Sequence, residues 1–274
     1  MSSIFLFQAG ASVTISDLKE DVGAATVKEL RERFGKERVH FVVCNVTKNE
    51  DLERMFQESE DFFKAPVDIL VNNAGVNTNL GWKVCMDVNI MAVMAATLMA
   101  IDKMKGRVGC KILNIASMAG IVPGFDTESL SYFVSKHGVV SLSRTLAANK
   151  HQHGVDFLCL CPSWANTDIV NKVLPEFKNE IETQVKKLGL MEPNRVGEAF
   201  MALLALKNGT VLSVMHNAPL MELPDISRTR TFATYTIGKL LQRTFGVELV
   251  QKWHLTLSLL MLLMLFHFIL RIMF

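Results

Sequence analysis

Tyr132 and Lys136 stand four residues apart, so on a helix their side chains share one face. A tyrosine hydroxyl, whose ordinary pKa is about 10, is a poor base at neutral pH, but a neighbouring ammonium favours the phenolate and lowers that pKa. Tyr132 would then exchange a proton with an alcohol or ketone oxygen while a hydride moves on the adjoining carbon. The pair therefore predicts alcohol–ketone oxidoreduction, and the plain structural alternative is a surface helix pair.

Other polar residues follow predicted strands upstream of this pair. Ser117 lies fifteen residues before Tyr132, at the end of the apolar segment Lys111–Ile115, where its hydroxyl would orient a substrate oxygen. The run Asn72-Asn73-Ala74-Gly75 directly follows the preceding apolar strand, and Asn89 lies in the next predicted helix. Ser117 therefore joins Tyr132 and Lys136 as a candidate catalytic residue.

Apolar, β-branched segments alternate with helical periodicity along most of the chain. Predicted strands cover Ala11–Ile15, Val39–Val43, Asp68–Val71, Lys111–Ile115, Asp156–Leu160 and Thr210–Val214. Predicted helices cover Val22–Phe34, Asn49–Phe63, Val88–Met104, Tyr132–Lys150 and Pro193–Leu206. The alternation predicts a Rossmann-like α/β fold, a doubly wound parallel sheet with helices on both faces. Ligands in such sheets bind beyond the carboxyl ends of the strands.

The first residues depart from the plan of a complete dinucleotide-binding fold. Such a fold begins with a strand and a glycine-rich turn whose amides hold the pyrophosphate. Here about ten residues precede the first predicted strand, and Gly10 is their only glycine. We therefore expect an N-terminally truncated version of the fold, in which the central strand position stays unpaired unless Ile4–Phe7 fills it.

Composition excludes several classes of function. The 274 residues are 50% hydrophobic, which suits one α/β domain, assigned here to residues 1–225. A formal net charge of +2, without a basic stripe interleaved with aromatic residues, makes nucleic acid an improbable partner. The five cysteines and the histidines His137, His151 and His153 lack metal-ligand spacing, so we expect no metal and reduced core thiols.

The C-terminal end has a different character. Residues Leu255–Phe274 are almost continuously apolar and long enough to cross a bilayer as a helix. Arg243 and Lys252 precede this run, as expected on a cytoplasmic flank. We predict a linker or amphipathic segment over 226–254 and a hydrophobic tail helix over 255–274 that attaches the chain to a membrane facing the cytoplasm. The alternative is a tail packed on the domain of a soluble cytoplasmic protein.

Five ordered motifs resemble those of the short-chain dehydrogenase/reductase family over about residues 9–215. They are NNAGV from Asn72, DVNI from Asp87, NIAS from Asn114, YFVSKHG from Tyr132 and CPSWANT from Cys161. The likeness is greatest to the branch of NAD-dependent 15-hydroxyprostaglandin dehydrogenases. It implies that Ser117 positions the substrate oxygen and that Tyr132 is the general acid and base. It also implies that Lys136 binds the nicotinamide ribose and lowers the tyrosine pKa, and that Asn89 holds a water in the proton relay.

The same resemblance implies an NAD site. Asp17, at the end of its strand, would accept hydrogen bonds from the adenosine ribose and repel a 2′-phosphate, although Lys19 softens that repulsion. The other implied cofactor contacts, besides Tyr132 and Lys136, are Asn45, Val46, Asn73, Ala74, Gly75, Pro162 and Thr167. Two departures concern the substrate: Ser129 replaces a glutamine of that branch, and the loop Ile121–Leu130 is slightly longer.

These observations predict an NAD-dependent oxidoreductase that interconverts a secondary alcohol and a ketone on an apolar, lipid-like or prostaglandin-like substrate. The resemblance also implies a homodimer, because family members associate through the Tyr132 helix and the preceding helix. The apolar face of that preceding helix consists of Val88, Met91, Met94, Leu98 and Ile101. The alternative is a catalytically impaired, truncated isoform or binding protein that has lost the cofactor phosphate loop.

Overall fold

A computed structural model of the chain describes residues 2–124, 127–167, 170 and 175–224. The strands are β1 Val13–Asp17, β2 Val39–Val43, β3 Ile69–Asn72, β4 Lys111–Ile115, β5 Asp156–Pro162, β6 Val211–Val214 and β7 Met221–Glu222. The helices are α1 Ser2–Gln8, α2 Glu20–Phe34, α3 Asn49–Phe63, α4 Trp82–Met86, α5 Ala92–Met104, α6 Leu130–Ala148, α7 Pro175–Leu188 and α8 Pro193–Leu204. A π-helical turn, Asp87–Met91, joins α4 to α5. The unit Met1–Leu223 is compact, and the predicted tail, 255–274, lies outside the described residues.

The strands form two sheets. β1 pairs in parallel with β2, while β3, β4, β5 and β6 pair in parallel in that order and β7 adds antiparallel to β6. Alternating parallel strands and helices confirm the predicted Rossmann-like α/β class. Within the described part of the chain, no strand pairs with the second edge of β1 or of β3.

Helices connect the two sheets. Thr14 of β1 shares a 2.6 Å hydrogen bond with Ser59 of α3, and Phe56 of the same helix packs in one core cluster with Leu70 of β3. α1 contacts both β1 and α8, and α8 in turn packs on β5 and β6. The two sheets therefore share their covering helices although no strand pairing joins them.

The first helix corrects one expectation. Residues Ser2–Gln8 are helical, so Ile4–Phe7 does not fill the empty strand position. Phe7 is buried against Val27, Leu30 and Val39, because a helix brings its apolar side onto the β1–β2 sheet.

Most predicted elements keep their positions with small shifts at the ends. β2, α3 and β4 have the predicted bounds, whereas β1 begins two residues later and β5 extends to Pro162. The larger difference is α4, which starts six residues before the predicted Val88 because Gly81, at φ 87°, turns the chain into a helix. Neither α7 nor β7 was predicted.

One described helical stretch, Trp82–Met104, is long and apolar enough to cross a membrane, with a mean hydropathy of 1.9. Its most apolar window is 44% buried within the protein. Met104, Ala100 and Ala96 pack in the core cluster under β3 and β4, so this stretch behaves as a core helix.

Candidate active site

Ser117 lies just beyond the carboxyl end of β4. Its backbone is extended, and its hydroxyl accepts a 3.1 Å hydrogen bond from the Ala119 N–H, which caps the short 3-10 turn Met118–Gly120. The same hydroxyl donates to the carbonyl oxygen of Pro162, 3.5 Å away at the end of β5, and lies beside the Tyr132 side chain, whose pKa it acts to lower. Two strand ends therefore hold the hydroxyl of Ser117 beside the side chain of Tyr132.

Lys136 follows Tyr132 by one turn of α6. The residue is 5% exposed, its Nζ donates to the carbonyl oxygen of Ile115 at 3.1 Å, and Nζ lies 5.7 Å from the centroid of the Tyr132 ring. Gly120 permits this packing, because a Cβ there would lie 2.5 Å from the Lys136 carbonyl oxygen. The structure thus brings Ser117, Tyr132 and Lys136 together, as the sequence predicts.

Burial dominates the electrostatics of this group. It raises the pKa of Tyr132, and the hydrogen bond from Ser117 only partly offsets that effect. Burial also lowers the pKa of Lys136 to about 8. In the protein alone the net effect on the Tyr132 pKa is therefore upward, and the role of Lys136 in lowering that pKa stays a prediction.

Asn89 is fully buried within the π-helical turn. Its Oδ1 accepts from the Val76 N–H at 2.8 Å, and its Nδ2 donates to the Val76 carbonyl oxygen at 2.9 Å. Nδ2 also lies 3.3 Å from both Cys85 Sγ and Ser135 Oγ. The side chain therefore fixes the loop after β3 to α6, and its role in holding a water stays a prediction.

A buried chain of hydrogen bonds lies beneath the candidate catalytic residues. Asn72 Nδ2 donates to Thr97 Oγ1 at 3.0 Å and to Asn114 Oδ1 at 2.8 Å, and Asn114 Nδ2 donates to Ser143 Oγ at 2.9 Å. Because a buried polar group without a partner is costly, this chain fixes the ends of β3 and β4 against α5 and α6. The sequence analysis did not identify Thr97 or Ser143, whose only signal was a polar residue on an otherwise apolar helix face.

The residues expected at the adenosine end lie on the β1–β2 sheet. Asp17 is exposed at the end of β1, and its Oδ1 accepts from the Lys19 N–H at 2.9 Å. Val46 packs partly buried at the edge of the core, and Asn45 Oδ1 accepts from the Thr47 N–H at 3.1 Å. The Asn45 N–H donates to the carboxylate of Asp51 at 2.8 Å. Asp51, in the first turn of α3, thus places a carboxylate beside Asn45, and the sequence analysis missed it.

The residues expected at the nicotinamide end follow β3 and β5. Asn73 and Ala74 are exposed, and a Cβ at Gly75 would lie 3.5 Å from both Lys136 Nζ and Asn89 Oδ1. Pro162 ends β5 half-buried. Thr167 is also half-buried, and its Oγ1 donates to the Ala165 carbonyl oxygen at 3.2 Å. Gly75 therefore leaves open the space beside the Lys136 ammonium.

All five cysteines are buried and free. Within the described ranges, no three His, Cys, Asp or Glu side chains are grouped to hold a metal ion. His153 is a packing residue, since its ring lies 3.2 Å from the Leu146 carbonyl oxygen and accepts from the Val155 N–H.

Comparisons with known proteins agree with this geometry. Residues 3–177 match the family described as short chain dehydrogenase. Human 15-hydroxyprostaglandin dehydrogenase [NAD(+)] is 30% identical over 224 residues, which cover 76% of this chain and 83% of that enzyme. 3beta-hydroxysteroid dehydrogenase 2 of Eggerthella lenta is 33% identical over 172 residues, which cover 59% of this chain and 64% of that enzyme.

A solved structure of an actinorhodin polyketide ketoreductase with NADPH has a similar fold. The TM-score is 0.66 at 24% sequence identity, and the match covers 77% of this chain and 88% of that chain. At this identity the likeness concerns the fold alone.

Proposed function

The chain belongs to the short-chain dehydrogenase family, and from this we propose that it is an NAD-dependent oxidoreductase that interconverts a secondary alcohol and a ketone on an apolar substrate. The observation that carries the proposal is the position of the Ser117 hydroxyl and the buried Lys136 ammonium beside the Tyr132 side chain. The NAD specificity in the names of the 15-hydroxyprostaglandin dehydrogenases supports the choice of cofactor.

The residues of the site fit a nicotinamide dinucleotide. The open space at Gly75, beside Lys136 Nζ, would take the nicotinamide ribose, and the exposed Asp17 carboxylate would bind the adenosine ribose. When bound, the nicotinamide ring accepts or delivers the hydride, and its positive charge in the oxidised form favours the Tyr132 phenolate. Asn73, Ala74, Pro162 and Thr167 would line the same edge, with Asn45 and Val46 at the adenine.

The chain's own residues would handle the proton. In reduction, the Tyr132 phenol donates its proton to the substrate oxygen, and in oxidation the phenolate accepts it. Ser117 donates a hydrogen bond to the same oxygen and holds it beside Tyr132. Because burial raises the pKa of Tyr132, the free protein holds the phenol at neutral pH, which is the form that reduction needs.

The substrate class is proposed from the relatives, and the assembly from exposed apolar side chains. An apolar, lipid-like or prostaglandin-like alcohol is supported by the relatives named for prostaglandin and hydroxysteroid substrates.

A homodimer through α5 and α6 is supported by Met91, Leu98 and Val134, which are large, apolar and about half exposed. Sedimentation of the Leu98→Asp variant as a monomer, beside a dimeric parent, would bear out this interface.

A second candidate function, partner binding without turnover, is favoured by one observation. Residues 1–17 contain no glycine-rich turn, and in the described part of the chain no strand pairs with the second edge of β1 or of β3. Backbone N–H groups that hold a pyrophosphate each contribute roughly 1.5–3 kcal/mol, so losing several would greatly weaken dinucleotide binding.

Titration of the purified chain with NAD decides between the two functions. A parallel titration uses a version in which a strand and glycine-rich turn precede α1. Saturable binding by the chain itself, with turnover of a secondary alcohol, supports the oxidoreductase. Binding by the extended version alone would support the second candidate.

A further inference from the structure

Ser143 is a buried polar residue that the proposed reaction does not use. It follows Lys136 by seven residues, or about two turns of α6. The two residues are 2% and 5% exposed, on the side of the helix that packs on β4 and β5. The Ser143 hydroxyl donates to the Val139 carbonyl oxygen at 2.8 Å. Because that bond takes its only proton, the oxygen can only accept from Asn114 of β4.

The hydrogen bonds around Asn114 all run in one direction. Asn72 Nδ2 donates to Asn114 Oδ1 at 2.8 Å, and Asn114 Nδ2 donates to Ser143 Oγ at 2.9 Å. A reversal of either bond would leave a buried donor or acceptor without a partner, which is costly. The Asn114 amide is therefore fixed at both ends, by the end of β3 on one side and by α6 on the other.

Two side-chain hydrogen bonds join α6 to the end of β4. One runs from Asn114 to Ser143, and the other runs from Lys136 Nζ to the Ile115 carbonyl oxygen at 3.1 Å. Asn114 and Ile115 are consecutive residues, so the two bonds connect the same pair of elements at the same end of the strand. The first bond therefore stabilises the helix position that the second one needs.

We propose that Ser143 is a positioning residue for the oxidoreduction: through Asn114 it holds α6 on β4 and keeps the Lys136 ammonium buried beside Tyr132. The role of Lys136 rests on the proposed function, but the position of its ammonium does not depend on turnover. Ser143→Ala leaves the buried Asn114 Nδ2 without its acceptor. The helix then loosens from β4 at this point, and water reaches the ammonium.

The pKa of Lys136 reports on this position. Burial is the largest cause of its decrease to about 8, while the neighbouring thiols of Cys85 on α4 and of Cys159 and Cys161 on β5 act to raise it. On its own helix, the Tyr132 ring centroid lies 5.7 Å from Nζ. Entry of water relieves the burial and therefore raises the pKa of Lys136.

A purely electrostatic effect of Ser143 would have the opposite sign. The pKa of the Cys159 thiol is lowered chiefly by Cys161 and also by Ser143. Without Ser143 the neutral Cys159 thiol is favoured, and the loss of negative charge beside Lys136 would lower the pKa of the ammonium. The direction of the change thus separates positioning from electrostatics.

NMR titration of the full chain with carbon-13-labelled lysines measures the pKa of Lys136, whose signal is the one missing from Lys136→Met. Ser143→Ala should raise this pKa by about 0.5 or more. The matched control is Thr97→Ala, which removes a fully buried hydroxyl that accepts from Asn72 at 3.0 Å but lies on α5. It should change the pKa by less than about 0.2. An unchanged or lowered pKa in Ser143→Ala, or an equal rise in Thr97→Ala, would overturn the proposal.

Ser143→Cys keeps the size of the side chain and replaces the oxygen with a sulfur, which is a weaker acceptor. It should raise the pKa of Lys136 by less than Ser143→Ala does. Should the alanine variant fail to fold, the cysteine variant decides the question, because an unchanged or lowered pKa there would overturn the proposal.

Kinetics separate the positioning role from the proposed function. With NAD and a secondary alcohol, Ser143→Ala should lower kcat by about tenfold, leave KM for the alcohol within about twofold and move the pH midpoint of kcat upward. Thr97→Ala should keep the midpoint of the parent. A lowered kcat at an unchanged midpoint would overturn the positioning role. No turnover by the parent chain would refute the proposed function and leave the titration of Lys136 to decide the role of Ser143.

Discussion

The side-chain amide of Asn89 pairs with both backbone groups of Val76, accepting from its N–H at 2.8 Å and donating to its carbonyl at 2.9 Å. Like a neighbouring strand, this side chain gives a hydrogen-bond partner to both the N–H and the carbonyl group of a loop residue. The loop that carries Asn73, Ala74 and Gly75 is thereby fixed to the helix that leads into α5.

Replacing Asn89 with alanine should destabilise the fold by about 2 kcal/mol, because both Val76 groups lose their buried partner. The free energy of unfolding from urea titration measures this change. Asn79→Ala, which removes an exposed amide nearby, is the control and should lie within about 0.5 kcal/mol of the parent. Equal stability of the two variants would mean that water replaces the Asn89 amide at no cost.

Tyr132→Phe removes only the hydroxyl that titrates. We expect kcat to fall by about 10²–10⁴-fold, the usual contribution of general acid–base catalysis, while the thermal unfolding midpoint changes little. Steady-state kinetics with a secondary alcohol and circular dichroism measure the two quantities. A loss below about tenfold would exclude Tyr132 as the acid and base.

The buried ammonium of Lys136 predicts a pH dependence of stability. Its pKa is lowered from 10.5 to about 8 in the folded protein. The unfolded chain therefore binds more protons between these values, and stability rises with pH across that window. The cost of burying the charge is present below pH 8 and is relieved towards pH 10.5.

Comparison with Lys136→Met isolates that contribution, since other groups titrate in both proteins. The free energy of unfolding of the parent, relative to the variant, should rise by about 3 kcal/mol between pH 8 and pH 10.5. Urea unfolding at intervals of pH gives the difference. A constant difference across the window would show that the ammonium is not desolvated.

Asp17→Ala should relax discrimination against NADP. The carboxylate repels a 2′-phosphate by about 1 kcal/mol in a solvated site, so the ratio of the NADP to the NAD dissociation constant should fall about fivefold. Calorimetric titration of a binding-competent form with each cofactor measures that ratio. An unchanged ratio would place the adenosine ribose away from Asp17.

Removal of Leu255–Phe274 should release the protein from membranes while leaving the kinetics on a short, water-soluble alcohol unchanged. This segment of 20 residues, 16 of them apolar, matches one bilayer crossing, and the residues of the site all precede it. Carbonate-washed membranes should retain the full chain and release the shortened one. Release of both, or aggregation of the shortened chain, would mean that the tail packs on protein.

The sequence predicted the bounds of β2 and β4 to the residue. β4 has its predicted bounds because Ile112, Leu113 and their neighbours form a short apolar run that only an interior strand accommodates. The proximity of Ser117 to Tyr132 was predicted from the resemblance to the short-chain dehydrogenase/reductase family, because Tyr132 lies on α6 rather than at a strand end.

Other features depend on contacts that no local pattern records. The pKa of Tyr132 could not be predicted from the Tyr132–Lys136 spacing, because Lys136 turns to the Ile115 carbonyl and burial sets the direction. The charge of Asp51 beside Asn45 was missed because six residues and a change from loop to helix separate them. Ile4–Phe7 was ambiguous because a short apolar run suits a strand and a helix equally.

The division of strands into two sheets has a mechanical consequence. Asp17 ends β1, and Asn45 and Val46 follow β2. Ser117 follows β4 of the larger sheet, and Tyr132 and Lys136 lie on α6, which packs on β4 and β5. A dinucleotide bound at both ends would link two sheets that, in the part of the chain the structure describes, no strand hydrogen bonds connect. Its measured affinity would therefore include the entropy lost when one sheet is fixed against the other. Amide exchange in β1 and β2 would slow more than in β4 and β5 when the dinucleotide is bound.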